Sequence, residues 1–185
     1  MKESSVNDRI LETASRLFYD QGYNLTGINQ IIAEAEIAKA SLYSHYNSKT
    51  EILLAYLDSW AQDFSQRLES HLKSIKGPKN KLFGLFEFHI EMYRHSNYTG
   101  CPMLKIKAEV PRTETAVWER IEKSKKAIRQ IIKKQVQDMD NKSGLADQAL
   151  ANLIYYLLEG ATVSATIASS PDDIKSALDS LKKLI

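Results

Sequence analysis

The sequence predicts an all-α protein of about nine helices, a small N-terminal three-helix unit followed by a larger helical domain. Three observations carry this. Apolar residues recur at three- and four-residue spacing along most of the chain. Only seven Gly and four Pro occur in 185 residues, and they sit where such helices would stop or start. A hydrophobic content of 43% is enough for a core.

Taken in order, residues 1–5 read as a loose arm. Ile10, Leu11, Ala14, Leu17 and Phe18 form one stripe of a first helix over about residues 6–21, and Gly22 supplies its stop. Ile28, Ile31, Ile32 and Ala35 give a second, short helix, with Thr26 placed to cap it. A third, residues 38–46, turns Ala38, Leu42 and Tyr46 to one side. Ser48-Lys49-Thr50-Glu51 has capping-box spacing ahead of a long fourth helix, about residues 49–75, which carries Ile52, Leu53, Tyr56, Leu57, Trp60, Phe64 and Leu68.

Lys76-Gly77-Pro78 ends that helix, and a fifth, about residues 79–95, is apolar nearly all round its middle, which places it centrally in the second domain. Residues 96–100 read as a turn. A short sixth helix follows Cys101-Pro102 and stops near Pro111. The seventh spans about residues 114–139 and the eighth about 145–168. Ser170-Pro171-Asp172-Asp173 then starts a ninth, with Ser170 as cap and Pro171 as first helical residue.

The net charge of +2 does not announce a nucleic-acid binder, and residues 1–49 hold five basic against six acidic side chains. Any positive charge must act locally. The outer face of the third helix (Ala40, Ser41, Tyr43, Ser44, with Lys39 and His45 at its edges) is small and polar, and no acid occurs between Ile37 and Thr50. Such a helix can enter a phosphate-lined groove without repulsion, although short helix pairs are also common in structural bundles.

Ile31-Ile32-Ala33 with Ala35, then Ala40-Ser41-Leu42-Tyr43-Ser44-His45-Tyr46 and Ser48-Lys49-Thr50-Glu51-Ile52-Leu53, resemble the DNA-binding signature of the tetracycline-repressor (TetR) family. That signature is a helix-turn-helix followed by leucine-tyrosine-x-x-aromatic-x-x-lysine. Glu36 departs from it, since many members carry glycine in the turn. A non-glycine residue at positive φ costs roughly 1 kcal/mol, which leaves another turn conformation open.

The resemblance implies a DNA-binding domain over residues 1–48 and an effector-binding and dimerisation domain over 49–185, with the fourth helix as connector. It implies a regulator, most often a repressor, that binds double-stranded operator DNA as a homodimer and is released by a small organic or electrophilic effector. In a helix-turn-helix the second helix presents its N-terminal residues to base edges. Lys39 would then face guanine, Ala40 a thymine methyl, and Ser41 and Ser44 several bases. Tyr43, His45 and Lys49 match family positions that hold phosphates, and Thr26 is a further candidate; a partly packed aromatic is the other reading of Tyr43.

Phe86, His89, Met92, Tyr93, Met103, Trp118, Tyr155 and Tyr156 are candidates for an effector pocket, although aromatic stripes at helical spacing are more often core. Gly100-Cys101-Pro102 and the residues to Val110 resemble a stretch of family members that respond to electrophiles or oxidants, which makes Cys101 a candidate redox sensor. Cysteines also pack as small apolar residues. Family dimers pair their last two helices, which nominates Leu157, Leu158, Ala161, Ala165, Leu178 and Leu181 for the interface.

A single cysteine excludes an intrachain disulfide. The opening residues lack a signal core, and no run reaches the ~18 apolar residues of a membrane span. A cytoplasmic protein without membrane, metal or cofactor is expected. Glu87, His89, Glu91 and His95 lack metal-site spacing. The basic run Lys123, Lys125, Lys126, Arg129, Lys133, Lys134 reads as a solvated face, with a second nucleic-acid surface as the other reading. No nucleophile–base pair is evident, so a helical enzyme and a protein-binding adaptor without DNA binding stand as the alternatives.

Overall fold

The structure, a computed structural model, describes residues 5–96 and 99–185. The proposed arm at 1–5 and the turn at 96–100 thus fall partly outside the described residues. Among those described there are nine α-helices and no strand: α1 (Val6–Asp20), α2 (Ile28–Glu34), α3 (Lys39–His45), α4 (Lys49–Lys73), α5 (Pro78–His95), α6 (Pro102–Glu109), α7 (Thr115–Asp138), α8 (Asp147–Ala168) and α9 (Asp172–Leu184). Every expected helix is present, with ends within about two residues. At the last of them, Pro171 occupies the cap position rather than the first helical one, and Ser170 Oγ accepts from Asp172 N–H at 3.2 Å.

By packing the chain forms two compact units, Met1–Gln62 with Cys101–Glu122, and Asp63–Gly100 with Lys123–Ile185. This division differs from a boundary at residue 48. The first unit holds α6 because Met103, Ile106 and Val110 join Ile10, Phe18, Ile31, Leu42, Leu53 and Leu57 in one core. Helices α4 and α7 are each divided between the units.

In the first unit α1 starts with a reciprocal cap that the sequence reading missed. Ser5 Oγ accepts from Asp8 N–H at 3.1 Å while the Asp8 carboxylate accepts from Ser5 N–H at 3.2 Å. After α1, Gly22 adopts φ 96° with the Glu109 carboxylate so close that an added Cβ would lie 2.7 Å from it. The left-handed backbone therefore favours glycine there, and a larger residue would also have to displace the Glu109 carboxylate. The expected box at α4 closes only half-way. Ser48 Oγ accepts from Glu51 N–H at 3.1 Å, but Glu51 reaches past Ser48 to the Asn47 N–H at 2.7 Å.

The second unit is built on α5, whose Leu82, Leu85, Phe86, Phe88, His89 and Tyr93 are buried, as the all-round apolar pattern predicted. Helix α9 packs on α5 and α8. That packing covers most of the nominated dimer residues within one chain. Leu158, Ala161, Ala165, Leu178 and Leu181 are buried within one chain, and Leu157 is half-buried. The apolar stripe that α8 leaves open is another one, Leu153, Tyr156, Gly160, Val163 and Ile167, with Ile167 82% exposed. α8 is the one described helix long and apolar enough to cross a membrane. Its apolarity has a simpler source, since it is apolar on two faces and one of them is covered by α9.

His89 is enclosed in this unit, its Nδ1 2.7 Å from the Leu85 carbonyl oxygen. Nearby, Lys125 Nζ and the Glu159 carboxylate pair at 2.7 Å. Burial pushes the imidazole down to about 4; the Leu85 bond opposes this, Lys125 adds to it and Glu159 opposes it. Because the folded value lies below the ordinary one near 6.5, the unfolded chain binds the extra proton between the two. Stability should be full above about pH 6.5 and fall as pH drops towards about 4. Urea denaturation across this range is expected to show that slope, shallower by about one proton in His89→Gln.

Candidate nucleic-acid interface

Helices α2 and α3 are seven residues each, too short to be stable alone in water. Ile31 and Leu42, both without exposed surface, anchor them to the core. The chain between them turns at Glu36, whose φ of 52° is left-handed. Glu36 therefore takes the left-handed conformation that glycine would favour. Its cost of roughly 1 kcal/mol is met by bonds on each side. Ile37 N–H donates to the Ile32 carbonyl at 3.2 Å, and the Arg9 guanidinium donates to the Glu36 carbonyl at 3.3 Å.

With Leu42 turned inward, α3 presents Lys39, Ala40, Tyr43, Ser44 and His45 to solvent, Ser41 half-buried beside them, and Tyr43 43% exposed. These are the residues expected on the outer face. Ser44 Oγ donates to the Ser41 carbonyl at 2.8 Å, which fixes the hydroxyl and leaves its lone pairs to accept. On α2, Glu34 pairs with Arg16 at 2.5 Å, and that bond with one from Gln30 holds its carboxyl below the usual range. No acid lies on α3 itself.

Two nominated contacts have other partners. Thr26 is only 1% exposed. Its hydroxyl donates to the Gly22 carbonyl at 2.7 Å and accepts from Gln21 Nε2 at 3.1 Å, so it ties the α1–α2 loop instead of capping α2 or facing solvent. Gly27 holds the cap position of α2, with no side-chain cap bond. Lys49 Nζ donates to the Tyr23 and Thr26 carbonyls, both at 3.0 Å, and lies 4.2 Å from the Tyr23 ring centroid. Burial lowers its pKa, partly offset by Glu109. Lys49 is thus a clamp from α4 onto that loop.

The same loop is gripped from α6, a connection for which the sequence carries no periodic signal. Asn24 N–H donates to Glu109 at 2.7 Å and Asn24 Nδ2 to the Glu109 carbonyl at 3.1 Å. Lys105 Nζ donates to the Tyr19 carbonyl at the end of α1. Cys101 caps α6 by position only. It is half-buried against the core and its thiol makes no cap bond.

The nominated effector residues fall in both units. Met103 is packed in the first unit's core, and Trp118, also of that unit, donates to the Pro111 carbonyl at 3.1 Å. Phe86, His89, Tyr93 and Tyr155 are buried in the second unit and Met92 is half-buried. Tyr156 is 58% exposed; its ring meets that of Tyr155 at 5.9 Å, with the Arg129 guanidinium 3.6 Å from the Tyr155 centroid. Among the described residues no cluster of His, Cys, Asp and Glu could hold a metal ion.

A short helix held by its apolar side, an acid-free outer face and a braced turn form the arrangement of a helix-turn-helix. Residues 10–56 match the sequence model of the family described as "Bacterial regulatory proteins, tetR family". The matched region is the DNA-binding part of that family, and the chain resembles TetR-family transcriptional regulators along nearly its whole length. Over 99% of its length it is 22% identical to the HTH-type transcriptional repressor NemR of Escherichia coli, covering 95% of that protein. The crystal structure of reduced NemR superposes with a TM-score of 0.81 at 20% identity, covering 98% of this chain and 97% of that one. A TetR-family transcriptional regulator from Streptomyces coelicolor gives a TM-score of 0.86 at 23% identity, covering 97% and 87%.

If Lys49 is a clamp, its removal costs fold as well as affinity. Lys49→Ala removes the ammonium donor from the Tyr23 and Thr26 carbonyls, of which Tyr23 keeps the Thr26 N–H at 3.3 Å, and is expected to lose about 1–3 kcal/mol of stability in urea denaturation. An unchanged midpoint would show that the clamp contributes nothing.

Proposed function

We propose that this regulator is a cytoplasmic repressor that binds a palindromic operator as a homodimer through α3 and is released by a small-molecule effector. The observation that carries the DNA contact is the outer face of α3. Lys39, Ala40, Ser41 and Ser44 would read base edges, while Tyr43 and His45 at its far end would hold phosphates. The relative NemR is named a repressor, which favours that sign of regulation.

The open stripe of α8 supports the dimer. Leu153, Tyr156, Gly160, Val163 and Ile167 follow alternating three- and four-residue steps and carry no charge. This is the spacing of a helix seam that packs on another helix. A two-fold axis there would set two α3 helices on half-sites about one helical turn apart, or a multiple of it, roughly 34–36 Å per turn. An effector would act by favouring a state in which that spacing no longer fits; a 99:1 reversal takes about 5.5 kcal/mol of differential binding.

Selection of bound duplexes from a random pool is expected to return a palindrome. Failure to enrich any sequence with folded protein would remove the DNA-binding reading. Against the selected duplex, Tyr43→Phe should weaken binding roughly tenfold at unchanged stability, the value of one hydrogen bond to a charged group; equal affinity would take Tyr43 out of the phosphate contacts. Val163→Glu, placed on the open face of α8, should sediment as a monomer. A persisting dimer would locate the interface elsewhere.

A further inference from the structure

The second unit contains a cleft that none of the nominated effector residues lines. It encloses about 250 Å³ between α4, α5 and α7. Its floor is apolar: Phe64, Leu68 and Leu72 from α4, Ile128 and Ile131 from α7. All but Ile131 are buried. Polar groups stand at its rim, and the cations come from two helices. Lys73 is held by Glu69, one turn back on α4, at 3.0 Å. Lys81 of α5 is half-buried and makes no ion pair among the described residues.

Lys81 is the unusual member. A lysine at the edge of an apolar cavity loses hydration, and neighbours normally repay that loss with an acid. Here the only carboxylate lining the cleft, Glu69, already has Lys73. Lys81 also lies just after the start of α5, where the helix has no side-chain cap and no acid in its first turn. The exposed N–H end of that helix adds positive potential. An apolar floor with one uncompensated cation at its rim is complementary to a molecule with an apolar chain and a single anionic head.

We propose that the cleft between α4, α5 and α7 binds a small amphiphilic carboxylate, its chain on Phe64, Leu68 and Ile128 and its head on Lys81, and that this is the regulator's effector site. The volume sits just below the roughly 300–1,000 Å³ usual for drug-sized ligands, which suits a small occupant such as a single medium-length chain. The effector role rests on the repressor reading above; the ligand site does not. Because α4 is one continuous helix from Lys49 to Lys73, a ligand against its last turns acts on the helix whose first residue clamps the DNA-reading unit.

The experiment uses the full chain with decanoate, decanol and decyltrimethylammonium as probes. Calorimetry should show saturable binding of decanoate, weaker binding of the alcohol and none of the cation. Lys81→Gln should weaken decanoate roughly tenfold or more and leave decanol unchanged. Ala127→Trp, at an exposed position on the cleft wall, should abolish both, with circular dichroism confirming the fold. Equal affinity for the three probes, or indifference to both substitutions, would overturn the site. Decanoate should also release the selected operator duplex, measured by anisotropy. Ligand binding without release would refute the effector role alone, and absence of any operator binding would refute the repressor reading while leaving the ligand site standing.

Discussion

The DNA-reading unit depends on how one ammonium group is satisfied. Lys49 stands at the start of α4, yet its Nζ reaches back to the carbonyls of Tyr23 and Thr26 and rests on the Tyr23 ring. A half-buried cation is costly unless its donors are used, so the geometry that uses them is selected strongly. That geometry fixes the loop between α1 and α2, and hence where α2 begins. Since α2 and α3 are too short to hold themselves, their direction is inherited from this loop and from the core beneath.

The loop is held from three sides. Thr26 binds it to its own start at Gly22, Lys49 ties it to α4, and Glu109 ties it to α6 through Asn24. Each bond is modest, about 0.5–1.5 kcal/mol net, and higher where a charge takes part. They act on a segment of six residues, Gly22 to Gly27, so the entropy to be overcome is small and the order gained is large. The solvent-facing side of α3 can then stay free of structural duties. Lys39, Ala40 and Ser44 are exposed because loop and core carry the load.

Helix positions were legible because the period of apolar residues is a direct consequence of helical geometry, and the exposed face of α3 followed from the same period. Roles set by distant neighbours were not. Thr26 and Lys49 read as surface groups in sequence, but their partners are carbonyls, which every residue has and no motif announces. The cover over Leu158 and Ala165 of α8 was not legible for a different reason. Helix α8 is apolar on two faces, and periodicity cannot say which is covered by α9 within the chain and which is left open. Lys81 went unnoticed, and Ile128 read only as part of an apolar stripe, because their cleft is assembled from three helices, each ordinary in its own pattern.

Gly22 and Glu109 are separated by 87 positions yet constrain one another. The glycine leaves the room that the carboxylate fills, and the carboxylate fixes the loop that the glycine begins. Substituting Gly22 first would drive a side chain into Glu109; losing Glu109 first would open the space but leave the left-handed backbone still calling for glycine. Position 22 is therefore held to glycine by its left-handed backbone whichever residue changes first, while the Glu109 carboxylate, at the end of a flexible side chain, can move aside only by giving up its bond to Asn24.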